Sequence, residues 1–109
     1  TGSISGLRAR GGFEIVGMEW SSGKLTKLAV RSTLGGNLRI RTPNELKLSR
    51  GTLAMAAGPN PNEFYQTDET PTPITAPLTG PAPATQPLQP TWLYDIPTQR
   101  GTVYTLVSQ

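Results

Sequence analysis

The chain has 109 residues, one domain's worth, with room for a single modest core. It contains no histidine and no cysteine, which excludes a histidine general base, a catalytic thiolate, a disulfide staple and every Ser-His-Asp arrangement. Charged residues make up 16%, beside 12 glycines and 11 prolines, a balance that disfavours helical bundles and favours short strands joined by turns. Residues 3–10 read as an opening strand that breaks at Gly11-Gly12. Residues 13–20 give the clearest strand: Phe13 and Ile15 share one parity, and Val16, Met18 and Trp20 share the other. A period-two pattern changes phase where one residue is inserted, so a β-bulge is expected near Ile15–Gly17. Ser21-Ser22-Gly23 supplies a hairpin turn into residues 24–34, with Leu28, Val30 and Leu34 inward and Lys27 and Arg31 outward. Gly35-Gly36-Asn37 turns the chain into residues 38–42, stopped by Pro43, and these strands are expected to form one antiparallel meander. Residues 45–57 read as further short strands.

Nine of the 11 prolines fall between Pro59 and Pro90, so residues 58–91 form a Pro-rich loop that can be neither a helix nor a central strand. Phe64, Tyr65, Ile74, Leu78 and Leu88 recur along it, the pattern of a loop pinned at intervals to a surface. Trp92 to Ile96 and Thr102 to Val107, turned at Gly101, read as a closing hairpin with Tyr94, Ile96, Tyr104 and Leu106 at core positions. The expectation is an all-β fold, an antiparallel β-sandwich of about seven to eight short strands forming one domain over residues 1–109.

Residues 1–57 carry nine Lys/Arg against three acids, and residues 58–109 carry one against four. A basic half invites a nucleic-acid partner, yet Arg39 and Arg41 alternate with Leu38 and Ile40 as a half-buried strand requires, and no aromatic–basic motif accompanies them. The longest apolar run, Leu53 to Ala57, is five residues, far short of a membrane span. Neither nucleic acid nor membrane is expected as a partner. The acids offer no glycosidase pair: Glu14 and Glu19 stand about 16 Å apart along one strand. Asp68 and Glu69 are neighbours in the loop. No Asp-x-Asp-x-Asp loop is present, and no helix follows the glycine pairs, so no metal, cofactor or catalytic residue is assigned and the chain reads as non-enzymatic. Trp20 and Trp92, with Tyr65 and Tyr94, could stack on sugar rings; the plainer reading is that Trp20 ends a core strand and Trp92 starts one.

The run Gly6-Leu7-Arg8-Ala9-Arg10-Gly11-Gly12-Phe13-Glu14-Ile15, with Met18-Glu19-Trp20, Gly23-Lys24-Leu25-Thr26-Lys27 and Leu34-Gly35-Gly36-Asn37-Leu38-Arg39-Ile40-Arg41, closely resembles the C-terminal region of glycoside hydrolase family 95. Those are large bacterial enzymes acting as α-L-fucosidases and, in some members, α-L-galactosidases. The resemblance extends to Pro59-Asn60-Pro61-Asn62-Glu63-Phe64-Tyr65, to Tyr94-Asp95-Ile96-Pro97-Thr98 and to Gly101-Thr102-Val103-Tyr104-Thr105-Leu106, covering most of the chain. It implies a fragment, because such enzymes look like an N-terminal β-domain, a helical barrel holding the catalytic carboxylates, and a C-terminal β-sandwich. No position here matches the catalytic residues. The family usually runs Phe-Glu-x-x-x-Glu-Trp, and this chain has one residue more, the insertion read above as a bulge. Leu38 stands where the family often has cysteine, which fits a buried packing role.

What the resemblance implies is an accessory domain that packs against and stabilises a catalytic helical barrel outside this chain. Arg8, Arg10, Arg39 and Arg41 are candidates to bridge that interface, since arginine makes planar bidentate pairs with carboxylates. For each, the plainer reading is a solvated strand face. The Pro-rich loop would be a strap across the barrel. The alternative is an independent carbohydrate-binding module taking a glycan on Trp20 and Trp92. Family habit suggests a periplasmic or secreted location.

Overall fold

Period-two alternation of apolar residues builds the two longest strands, Phe13–Ser21 and Lys24–Ser32, because only an extended chain buries every second side chain on one side. The computed structural model describes residues 1–65, 68, 70–77 and 79–109. Among these it has no helix and nine strands: β1 (Gly2–Ile4), β2 (Leu7–Ala9), β3 (Phe13–Ser21), β4 (Lys24–Ser32), β5 (Gly36–Thr42), β6 (Leu46–Leu48), β7 (Ala54–Met55), β8 (Trp92–Thr98) and β9 (Val103–Ser108). They form two antiparallel sheets, one ordered β1-β3-β4-β9-β6 with β2 also on β3, the other ordered β5-β8-β7. Phe13, Leu28, Val30 and Leu106 of the larger sheet are buried with Leu38, Tyr94 and Ile96 of the smaller. This is an all-β sandwich.

The β3–β4 hairpin forms as the pattern requires. Ile15 pairs with Val30 and Gly17 with Ala29, which leaves Val16 as the extra residue of a bulge. A second register shift between Glu19 and Trp20 left no trace in the apolar pattern. Ser22 and Gly23 both have positive φ, 51° and 73°, the two-residue hairpin turn that matches the right-handed twist of the strands.

Several expectations fail, and those about pairing share a reason: parity tells which side of a strand is buried but not which strand lies beside it. The opening strand is two pieces, β1 and β2, divided at Ser5 and Gly6. The meander stops at β4, and β5 crosses to the other sheet, where it pairs with β8. The closing hairpin does not form either, since β8 pairs with β5 and β7 while β9 pairs with β4 and β6. Both crossovers meet at Ser32, which is fully buried. Its N–H donates to Thr102 O (3.0 Å), its carbonyl accepts from Gly101 N (2.7 Å), and its hydroxyl oxygen accepts from Gly35 N (3.0 Å) and bonds Thr98 Oγ1 (2.9 Å). Leu34, expected inward, lies in the departing turn and is 48% exposed.

The Pro-rich loop is not pinned where its apolar residues suggested. Ile74 and Leu88 are essentially fully exposed, and Phe64 and Tyr65 are also on the surface. Leu78 lies outside the described residues. Every described residue from 68 to 90 is exposed. These described residues therefore stand off the sandwich, and the radius of gyration is 17.2 Å, against about 13 Å for a compact chain of this size.

Candidate docking surface

Strand β5 alternates Leu38 and Ile40 toward the core with Asn37, Arg39 and Arg41 on the other side, and β8 sets Asp95 directly opposite Arg39. Arg39 grips that carboxylate with its planar fork, Nε donating to Oδ1 and Nη2 to Oδ2, both at 2.8 Å. Its remaining N–H groups donate to the carbonyls of Gly58 (2.7 Å) and Ala57 (3.2 Å), the start of the Pro-rich loop. Asn37 Nδ2 adds a bond to Asp95 Oδ1 (2.9 Å) and another to Asn60 Oδ1 (3.1 Å). Asn60 Oδ1 also accepts from the backbone of Asn62 (3.1 Å), and Asn62 Oδ1 accepts from Phe64 N (2.7 Å). Each asparagine thus bonds the backbone two residues on, the turn for which Asn is favoured, and the intervening Pro61 fixes φ. Asn62 is buried and closes the network by donating from Nδ2 to Asn37 O (2.7 Å). Gly36, at φ +86°, passes so close to this amide that a Cβ there would stand 3.2 Å from Asn62.

Arg39, through its hydrogen bonds, holds the Asp95 carboxyl below the usual carboxylate range; Asn37 and the positive charge act in the same direction, and partial burial opposes them. Asp95 in turn raises the guanidinium. A lowered carboxyl pKa stabilises the fold above the ordinary carboxylate value, and that stability is lost as pH falls through the lowered one. The melting-temperature gap between the wild type and Asp95→Asn is therefore expected to be widest at neutral pH and to close in acid. A gap that is constant with pH would mean that the ionised pair contributes nothing.

The structure brings Arg10, Arg39 and Arg41 to one cleft of about 440 Å³ that runs along β5 and is floored by Phe13, Ile15 and Ile40. Arg8 is exposed on β2 and lies outside this cleft. Arg39 is committed within the domain, and Arg41 donates to Thr91 Oγ1 (2.8 Å). Tyr94 is buried, Trp92 packs against the core, and Tyr65 lies in the β5 cleft. Trp20 is 36% exposed, its indole lying over Gly2 of β1 so closely that a Cβ there would stand 2.5 Å from the ring.

Glu14 pairs with Arg31 at 3.1 Å. Asp68 is exposed, Glu69 lies outside the described residues, and among those described no three metal-binding side chains cluster. A Ser-x-x-Lys spacing, suited to a serine nucleophile with a lysine base, occurs at Ser21 and Lys24. It spans the β3–β4 turn, and the Ser21 hydroxyl is bonded to that of Thr1 (3.2 Å). The network residues that sequence reading missed are Asn37, Asn60, Asn62 and Asp95; the alternating Pro-Asn-Pro-Asn of residues 59–62 was the available signal.

A family model described as Glycoside hydrolase family 95, C-terminal domain, matches residues 1–70. No curated protein matches the chain.

Proposed function

The chain belongs to the glycoside hydrolase family 95 C-terminal domains, and from that premise we propose that it is a non-catalytic accessory domain of an α-L-fucosidase-like enzyme, packing against and stabilising a helical catalytic barrel outside this chain. The observation that carries this reading is the match over residues 1–70, which takes in β1 to β7 and the Pro-Asn anchor. The disposition of the carboxylates supports it. Among the described residues, Asp95 and Glu14 are the acids drawn into the body of the domain, and each is held by an arginine and performs a structural task. A sugar-stacking role for Trp20 and Trp92 has less support, because Trp92 packs against the core.

The Pro-rich loop fits a strap. Its described residues from 68 to 90 are all exposed, so they add little to the domain's own core. Deleting residues 66–89 is expected to move the isolated domain's melting temperature by no more than about 4 °C, the shift of a surface change of half a kcal/mol. Its affinity for the separately purified barrel should fall about tenfold, as loss of a contact worth about 1.4 kcal/mol would require. Calorimetry of both species checks this. A collapse of the isolated domain would show instead that the loop holds the sandwich together.

A further inference from the structure

Strand β5 is the long free edge of this sandwich. Among the described strands at sheet ends, β1, β2 and β6 have three residues and β7 has two, whereas β5 has seven. Proteins keep free edges short or guarded, because a row of unpaired N–H and C=O groups attracts another chain. Ala56 N donates to Leu93 O, so the backbone groups of Leu93 and Asp95 face β7 and those of Tyr94 and Ile96 face β5. By the alternation of an antiparallel ladder, Leu38 and Ile40 bond to β8, and Asn37, Arg39 and Arg41 present their backbone groups to the open side. Asn62 satisfies the first of these by its bond to Asn37 O. Among the described residues, no strand or turn bonds the outward backbone of Arg39 or Arg41.

The cleft beside this edge has an apolar floor, and among the described residues no acid lines it. Asp95 neutralises Arg39, so the rim's positive charge comes from Arg10 and Arg41. We infer that the β5 edge is a docking strand: it receives an extended acidic segment of the catalytic-barrel polypeptide, which adds as a fourth strand to the β5-β8-β7 sheet and sets its carboxylates against Arg10 and Arg41. This rests on the accessory-domain reading above. The occupant is a polypeptide and not a sugar because the open groups are strand backbone at strand spacing, which another strand matches bond for bond. The acidic character follows from Arg10 and Arg41, which no described acid opposes.

The test titrates the separately purified barrel polypeptide against the wild-type chain and against Arg10→Glu/Arg41→Glu, and follows hydrogen exchange at the Arg39 and Arg41 amides. Both arginines to be changed are exposed, so the variant's melting curve should match the wild type. Its affinity should fall about tenfold or more. In the wild-type complex the two amides should exchange about tenfold more slowly than in the free chain, a readout that needs no variant. Arg41→Pro, which removes a donor from the open side alone, should weaken binding as well. Binding that leaves both amides unprotected and ignores the charge reversal would overturn edge docking while sparing the accessory-domain reading. No binding by the wild type would overturn both. Protection of the same amides by an oligogalacturonate in place of the barrel would replace the polypeptide with an acidic glycan.

Discussion

Leu106→Ala is expected to destabilise the domain by about 3–5 kcal/mol, the upper range for truncating a fully buried leucine. Leu106 is completely buried on β9, the strand next to the β6 edge of the larger sheet, opposite Leu28 on β4 and Leu48 on β6. Its loss leaves a hole that neither neighbour can fill without moving a strand. Both are held in ladders on either side of β9, so collapse around the hole is limited and the cavity cost is retained. Against a total stability of about 5–15 kcal/mol, the variant should melt more than about 12 °C lower by circular dichroism. Leu34→Ala is the control, since Leu34 is about half exposed and a surface truncation of that kind costs within about 0.5 kcal/mol. Equal effects at the two positions would mean that the core is not centred on β9.

Leu106 was legible in the sequence, and the reason marks what else could be read. Alternation in residues 102–107 puts Leu106 and Tyr104 on one side, and alternation in residues 24–32 does the same for Leu28 and Val30. Burial of one sheet face imposes that pattern on every strand, whatever strand lies next to it. The bulge at Val16 was legible because it breaks the period inside one element. Partner choice is another matter. Gly101 and the pair Gly35-Gly36 read as ordinary turns, and only the bonds they make around Ser32 turn them into crossovers between sheets. A serine in a strand carries no sign that its hydroxyl and both backbone groups will be consumed by residues far along the chain.

The candidate docking surface divides in the same way. Arg10, Arg39 and Arg41 were visible as strand arginines, but the carboxylate that occupies Arg39 is Asp95, 56 positions away. Arginine makes bidentate pairs with carboxylates, and Arg39 uses that geometry within the domain itself. Asn60 and Asn62 were hidden by their setting in a Pro-rich segment, where a loop reading obscures how firmly its first residues are held. The free edge of β5 could not be read at all without knowing that β8 lies on its other side.

Tyr94 carries the second large effect, and two substitutions separate its parts. The ring is buried in the smaller sheet, and its hydroxyl oxygen accepts the N–H of Leu46 across the sandwich at 3.2 Å. Gln109 N donates to Glu45 O, so Leu46 and Ser108 form the non-bonded pair of their ladder, and the Leu46 N–H points away from β9. Tyr94 is what satisfies it. Tyr94→Phe keeps the ring and strands that buried N–H, at a cost of about 1–3 kcal/mol. Tyr94→Ala removes the ring as well, adding about 3–5 kcal/mol for the cavity. Such a loss consumes most of what a domain of this size has, so the alanine variant should be largely unfolded near body temperature, while the phenylalanine variant should fold with a lower melting point. Urea unfolding of the pair measures both steps. If the phenylalanine variant were as stable as the wild type, the Leu46 N–H would have another partner, and the two sheets would be held together by apolar packing and the Ser32 crossovers alone.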